Sequence, residues 1–343
     1  MPTEPARLPT EPGRHEPSAV VSLSVAAALG AGALSSLQAK ANGQLGQVFD
    51  AAVDAALWSF GSGWLILTLG LLLPGPRRGL REARAAYRAN RLRWWQFLGG
   101  LGGALFVGAQ AFAVPLAGVT LFTIGVVGGQ TVTALLVDRV GLGPGGVAPV
   151  TLGRVLSAVA TVIGVVVAAT ARGGTTGSVP VGAVLCAVAG GAAIAVSGAL
   201  NGRVNRASGH VTATSWINFT WGSLALLGWA LVLRLQGGLH APRSLDAPWW
   251  AYAGGVLGIV FVAVGAVVVH HLGVLLTALL TIAGQIVMGL VLDLASATTR
   301  SHVGPQLLLG VAITLVAAVG AGIAASRTSR AAAPAPQSPT VGG

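Results

Sequence analysis

Two stretches of 21 residues, GVTLFTIGVVGGQTVTALLVD at 118–138 and GVLLTALLTIAGQIVMGLVLD at 273–293, decide how this chain folds. Each carries no charge until its last residue, Asp138 or Asp293. At 1.5 Å of rise per residue, each is long enough to cross a hydrocarbon core of about 30 Å as one helix. Both open on Gly-Val, hold Gly-Gln in the middle (Gly129-Gln130 and Gly284-Gln285) and end on Asp, at a constant spacing of 155 residues. A segment suited to lipid is therefore present twice.

The register extends outward from these stretches. At the same spacing Trp94-Trp95 matches Trp249-Trp250, Gly99-Gly100 matches Gly254-Gly255, and Gly103, Phe106 and Val107 match Gly258, Phe261 and Val262. Further upstream the spacing is 159: Asn42-Gly43 matches Asn201-Gly202, and Phe60, Gly63 and Leu65 match Phe219, Gly222 and Leu224. The change falls between two apolar segments, where a connection tolerates an insertion, so the pattern is that of a duplicated unit.

Hydropathy places ten spans, at 20–38, 51–73, 95–114, 119–137 and 152–171, then 180–200, 213–233, 250–269, 273–292 and 307–325. The chain is 54% hydrophobic and 8% charged, with a mean hydropathy of +0.78, and a soluble domain would need a far more charged surface. The net charge of +11 does not point to nucleic acid, because the arginines sit in short connections between apolar spans. Seven of them, Arg77, Arg78, Arg81, Arg84, Arg88, Arg91 and Arg93, lie between spans two and three. The positive-inside bias makes that connection cytoplasmic, and threading ten spans from it puts both termini inside a bacterial plasma (inner) membrane. Trp94, Trp95, Trp249 and Trp250 read as interface anchors. The polar, Pro-rich start is followed by a full-length span with no separate cleavage region, so that span is expected to stay in the mature protein. Cys186, the sole cysteine, lies in an apolar run and reads as a packing residue.

The expected fold class is an all-α integral membrane protein: ten transmembrane helices arranged as two inverted five-helix repeats. The expected organisation is a disordered tail at 1–18, repeats at 19–172 and 173–326, and a disordered tail at 327–343. Five is odd, so the second unit enters the membrane upside down relative to the first. That symmetry lets two halves exchange conformations around one site.

The residues resemble the YdcZ-type branch of the drug/metabolite transporter superfamily, which includes EamA-like exporters. The resemblance rests on Gly129-Gln130 with Asp138, repeated as Gly284-Gln285 with Asp293, and on Asn42-Gly43 and Phe60-x-x-Gly63 after the first span. It covers roughly residues 27–325. Such a resemblance implies a ten-helix carrier with a cavity between its halves, here with two units fused, and it brings no substrate with it. Ser197 stands where the first unit has Gln38, so the two half-sites are expected to differ chemically.

Candidate solute contacts are Thr123 and Gln130 in the fourth span, in one helical row with Thr120 and Asp138, and Thr277, Thr281 and Gln285 in the ninth. The two rows are expected to face each other across a cavity, against the alternative that each glutamine ties its helix to a neighbour. Asp50, Asp54, Asp138 and Asp293 are candidate gating or coupling groups. For Asp50 and Asp54 the plainer expectation is a surface ion pair near Lys40. Asn42 and Asn201, each followed by glycine, read as helix C-terminal caps first and as solute contacts second. His270-His271 reads as a solvated turn, since adjacent side chains point apart and no third ligand is evident. Gly99-x-x-x-Gly103 and Gly254-x-x-x-Gly258 read as close-packing surfaces.

Enzyme classes find no support. The chain's single lysine, Lys40, has no Gly-rich phosphate loop, Phe60-Gly61-Ser62-Gly63 lacks the nucleophile spacing and a mid-span histidine, and no H-E-x-x-H occurs. The expected function is secondary transport, namely export of a small metabolite or amphipathic compound by alternating access with protons as the coupling ion. A lipid-carrier flippase and a noncatalytic membrane scaffold or sensor are the alternatives. The expected partners are a small-molecule substrate, the bilayer, protons and a second copy in a homodimer. No cofactor, metal or nucleic acid is expected.

Overall fold

A computed structural model describes residues 18–176, 180–238 and 240–331. Its α-helices are α1 (Ser18–Phe49), α2 (Ala52–Gly70), α3 (Pro74–Arg88), α4 (Gly99–Arg139), α5 (Leu152–Thr176), α6 (Val181–Ser208), α7 (Val211–Leu235), α8 (Gly254–Ala295) and α9 (Pro305–Ala331). Among the described residues, nine segments are long and apolar enough to cross a bilayer. One of them, Trp94–Arg139, is 46 residues long, about twice what a crossing needs.

That segment is two spans. Gly118 interrupts α4 with φ 74°, ψ 167°, a conformation open to glycine alone, and the chain reverses there. Packing against α6 shows the reversal. The first half of α4 runs antiparallel to α6, with Gly99 against Asn201 and Ala109 against Gly190, and the second half runs parallel to it, with Gly125 against Ala187 and Gly129 against Val188. In α8, Gly273 takes φ 73°, ψ 165°, and α1 packs in the same two senses: Gly254 against Asn42 and Gly258 against Gln38, then Gly284 against Leu29 and Ser36 against Gln285. Ten spans result.

The two units run in opposite senses. Along α2 and α7, the second span of each repeat, Asp54 meets Arg234, Phe60 meets Gly222, Trp64 meets Thr220, Thr68 meets Trp216 and Gly70 meets Thr212. Residue numbers rise on one helix as they fall on the other. The fifth spans repeat the relation, with Gly153 of α5 against Ala324 of α9, Gly164 against Thr314 and Ala168 against Gly310.

Close approach depends on glycine at repeat-equivalent places. A methyl group on Gly129 would sit 1.9 Å from the Val188 carbonyl oxygen, and one on Gly284 would sit 2.1 Å from that of Leu29. No side chain fits at either position, so the Gly of each Gly-Gln pair sets the helix spacing. In lipid, where apolar burial does not drive helix association, such contacts carry the packing.

The sequence-based boundaries need three corrections. The helix begun by the first span runs on to Phe49, and α6 runs to Ser208, because neither Asn-Gly pair breaks the backbone ladder. Asn42 and Asn201 thus lie inside helices and do not cap them. The arginine-rich connection holds a helix of its own, α3, with proline in its first turn. It buries Pro76, Gly79, Ala83 and Ala86 at helical spacing and exposes Arg77, Arg78, Arg81, Arg84 and Arg88. Finally, helix begins at Ser18 and continues to Ala331, past the expected edges of the tails, whose remaining residues, 1–17 and 332–343, lie outside the described ones.

Candidate functional site

Phe60 and Phe219, repeat equivalents on α2 and α7, stack with ring centroids 4.8 Å apart. On either side of this pair lies a group of polar side chains, buried in the first group and, apart from Ser197, half-buried in the second. In the first, Asn42 Nδ2 donates to Gln110 Oε1 at 2.7 Å, and both side chains are fully buried. Asn42 lies against Gly254 beside Ser59, and Gln38 lies against Gly258. In the second, Asn201 Nδ2 donates to Asn218 Oδ1 at 2.8 Å and to Ser197 Oγ at 3.2 Å, and Asn201 lies against Gly99.

The two groups differ in how well they are satisfied. Asn42 Oδ1 and Gln110 Nε2 are buried without a hydrogen-bond partner among the described residues. An amide left so costs roughly 1–3 kcal/mol, and here a donor and an acceptor of one hydrogen-bonded pair both lack a second partner, at side chains that are fully buried in this state. Ser197 in place of Gln38 makes the second group smaller and removes one amide, which is the chemical inequality expected from that substitution.

A groove of about 530 Å³ lined by Asp54, Trp58, Ser62, Trp64 and Arg234 reaches inward to Ser62, which adjoins Ser59 across Gly255. A second, of about 410 Å³, is lined by Arg84, Tyr87, Trp94, Trp216 and Trp221. Each combines indole rings with a guanidinium at its edge, a surface suited to an amphipathic molecule.

The residues singled out from sequence separate into different settings. Gln285 Nε2 donates to Ser35 Oγ of α1 at 3.1 Å, whereas Gln130 is exposed beside α6 and makes no side-chain hydrogen bond among the described residues. The reason is local: α1 offers Ser35 and Ser36, and α6 has Ile194 and Ala195 at the equivalent places. Thr123 and Thr277 bond to the carbonyls of Val119 and Gly273 in their own helices, and Thr281 reaches the Ala28 carbonyl of α1. The second half of α4 packs on α6 and that of α8 on α1, so the structure does not set the two polar rows face to face at Gln130 and Gln285.

The carboxylates are likewise distinct. Asp54, 7% exposed, receives Arg234 Nη2 on both oxygens at 2.8 and 2.9 Å. Asp50 lies 3.6 Å from Arg243, both exposed. Lys40 is in neither pair, so the expected ion pair near it is replaced by contacts to α7 and to the connection after it. Asp293, 3% exposed, accepts the backbone N–H of Val119 on Oδ1 at 2.9 Å and of Thr120 on Oδ2 at 2.8 Å. It caps the helix that starts after Gly118, where the helix dipole and two orphan N–H groups favour an anion. Asp138 pairs with Arg154 of α5.

Gln110, Ser59 and Asn218 were not singled out in the sequence. Gln110 had a signal, an amide deep inside an apolar span, but its repeat equivalent is Gly265, so matching the two units passes over it.

Two antiparallel five-span units around a buried polar junction define a membrane carrier of the inverted-repeat class. The family model described as "Putative inner membrane exporter, YdcZ" matches residues 23–167 and 182–320, one stretch in each repeat, and the chain belongs to that family. No curated protein matches the chain. A solved structure described as "Crystal structure of protein" is similar with a TM-score of 0.49 and 20% identity, over 90% of this chain and 98% of that one.

Proposed function

We propose that the protein is a secondary transporter of the bacterial inner membrane that exports a small polar or amphipathic metabolite by alternating access. The antiparallel pairing of α2 with α7 carries this reading. It gives two similar halves opposite senses in the bilayer, the symmetry that lets one site be exposed to each side in turn. Gln110 Nε2 and Asn42 Oδ1, buried without a partner in this state, are the proposed hydrogen-bonding groups for the solute once the halves rearrange, and the tryptophan-lined grooves favour a solute with an apolar portion.

With α3 and its arginines on the cytoplasmic side, Asp293 and Asp54 lie towards the periplasm and Asp138 towards the cytoplasm. Protons are the proposed coupling ion, with these carboxylates as their carriers. A flippase for a lipid-linked compound is the second reading, favoured by the position of both grooves on the outer surface of the bundle.

Proteoliposomes test both. Efflux of one or more members of a broad panel of labelled metabolites, accelerated by an inward proton gradient, is the expected result. Folded protein that moves no metabolite but translocates a fluorescent lipid-linked sugar would favour the flippase, and movement of neither would remove the transport reading.

A further inference from the structure

The cap at Gly118 is made from parts that all occur twice. Gly273 has the same backbone conformation as Gly118, a helix starts after each, and Asp138 stands to Gly273 as Asp293 stands to Gly118. Yet among the described residues the arrangement exists once. A methyl group on Gly118 would lie 3.0 Å from both Asp293 carboxylate oxygens, whereas one on Gly273 would meet nothing within 4 Å. Gly118 is buried and Gly273 exposed, and of the equivalent leucines Leu121 is 2% exposed and Leu276 is 42%. At the Asp293 end the fourth and ninth spans touch, with Gly289 against Thr120. Asp138, meanwhile, is held by Arg154, and its side chain is 37% exposed.

One sequence pattern in two conformations, within units related by inversion, records the two ends of a single movement. We infer that Asp138 and Asp293 are alternating helix caps that close opposite faces of the carrier. In the opposite state Asp138 leaves Arg154 and accepts the N–H groups of the helix after Gly273, while Asp293 releases Val119 and Thr120. This rests on the transport reading for its purpose, and on the repeat geometry for its form.

The exchange is unequal. The residue equivalent to Arg154 is Leu309, so Asp138 has a guanidinium to retreat to and Asp293 does not have one in that place. Arg154 therefore holds the resting protein in the state described here, with the Asp293 end closed.

Cross-linking between cysteines tests the exchange without any substrate. In a Cys186→Ser background, Thr120→Cys with Gly289→Cys reports closure at the Asp293 end, where a Cβ on Gly289 lies 3.4 Å from the Thr120 Cα, within disulfide reach. Ala134→Cys with Leu275→Cys, at the repeat-equivalent positions, reports closure at the Asp138 end. The first pair is expected to cross-link readily and the second sparsely. Asp293→Ala is expected to lower the first and raise the second about fivefold, the population change a helix cap of ordinary strength commands. Asp293→Asn, which keeps one capping oxygen, should fall between. Arg154→Leu is expected to raise the second pair with Asp293 intact, and Asp138→Ala to abolish it in every background.

If the second pair forms in no background while each variant elutes as a folded, monodisperse species, the exchange is wrong. It is also wrong if Asp293→Ala leaves the first pair unchanged. Cross-links that exchange in a protein with no measurable flux would retain the gate and discard the transport reading, and flux without exchange would do the reverse.

Discussion

Phe60 and Phe219 each fill the space above the other's glycine. A methyl group on Gly63 would sit 2.3 Å from the Phe219 ring, and one on Gly222 would sit 2.2 Å from the Phe60 ring. Because Phe60 and Gly63 are the repeat equivalents of Phe219 and Gly222, this reciprocal contact marks where the local two-fold axis passes between α2 and α7. The α2–α7 interface is thus isologous, like that of a two-fold dimer, although one chain supplies both sides.

Gly63→Ala and Gly222→Ala should each destabilise the protein by about 1–3 kcal/mol through overpacking against a ring. Adding Phe219→Ala to Gly63→Ala removes the obstacle, so the double variant should melt no lower than Phe219→Ala alone. Thermal unfolding in detergent followed by size-exclusion chromatography measures this, and simple additivity of the two losses would show that the ring and the glycine do not meet.

The Asn42–Gln110 pair separates a role in packing from one in solute binding. Gln110→Leu alone leaves Asn42 unpaired in the interior and should cost roughly 1–3 kcal/mol. Asn42→Leu with Gln110→Leu removes both polar groups and should recover most of that stability. If the pair serves only the fold, flux recovers with it; the site proposed here requires that flux stay lost in the stable double variant.

Asp54 and Arg234 tie the periplasmic ends of α2 and α7 in the proposed orientation. Asp54 is nearly buried and Arg234 is 41% exposed at its side chain, so removing the arginine is the more damaging change. Arg234→Ala should cost about 1–3 kcal/mol, and Asp54→Ala with Arg234→Ala should cost less than Arg234→Ala alone. A double-mutant cycle on melting temperature with no coupling would place the pair among surface contacts of no consequence.

At Gly129 and Gly284 a side chain would meet backbone carbonyls, which cannot swing aside. Gly129→Val and Gly284→Val are each expected to prevent recovery of monodisperse protein, whereas Gly61→Val, where a Cβ would meet nothing within 4 Å, should be recovered normally. Equal yields from all three would contradict the close approach of α4 to α6 and of α8 to α1.

The spans and the duplication were legible in the sequence because both depend on features that repeat in order: runs without charge, and glycines matched at fixed spacing. The inversion followed from an odd number of spans. Helix ends were less legible, since hydropathy follows the lipid and not the backbone ladder. Lys40, Asn42, Gln44 and Gln47 are polar, yet α1 continues through them to Phe49. The amphipathic α3 was hidden for the same reason, its buried face being only Pro76, Gly79, Ala83 and Ala86.

The site was read in part. Gln130 and Gln285 match between the two units, but the helices they lie against diverge, with Ile194 beside one where Ser35 bonds the other, and no comparison of the matched residues alone shows that. Gln110 was passed over because its counterpart is glycine. Asp293 was seen at the end of a span, while its partners, the N–H groups after Gly118, are 174 and 173 residues away in the chain. Tertiary structure had to bring them together.

Opposite orientation of the two repeats is the claim on which the rest depends, and cysteine labelling from one side of the membrane tests it most directly. In the Cys186→Ser protein, cysteines at Gly145, between α4 and α5, and at Thr298, between α8 and α9, occupy exposed positions in corresponding connections of the two units. In intact cells whose outer membrane has been permeabilised, a membrane-impermeant maleimide is expected to label Thr298→Cys and to reach Gly145→Cys only after the inner membrane is opened. Labelling of both from the same side would mean that the units share one orientation.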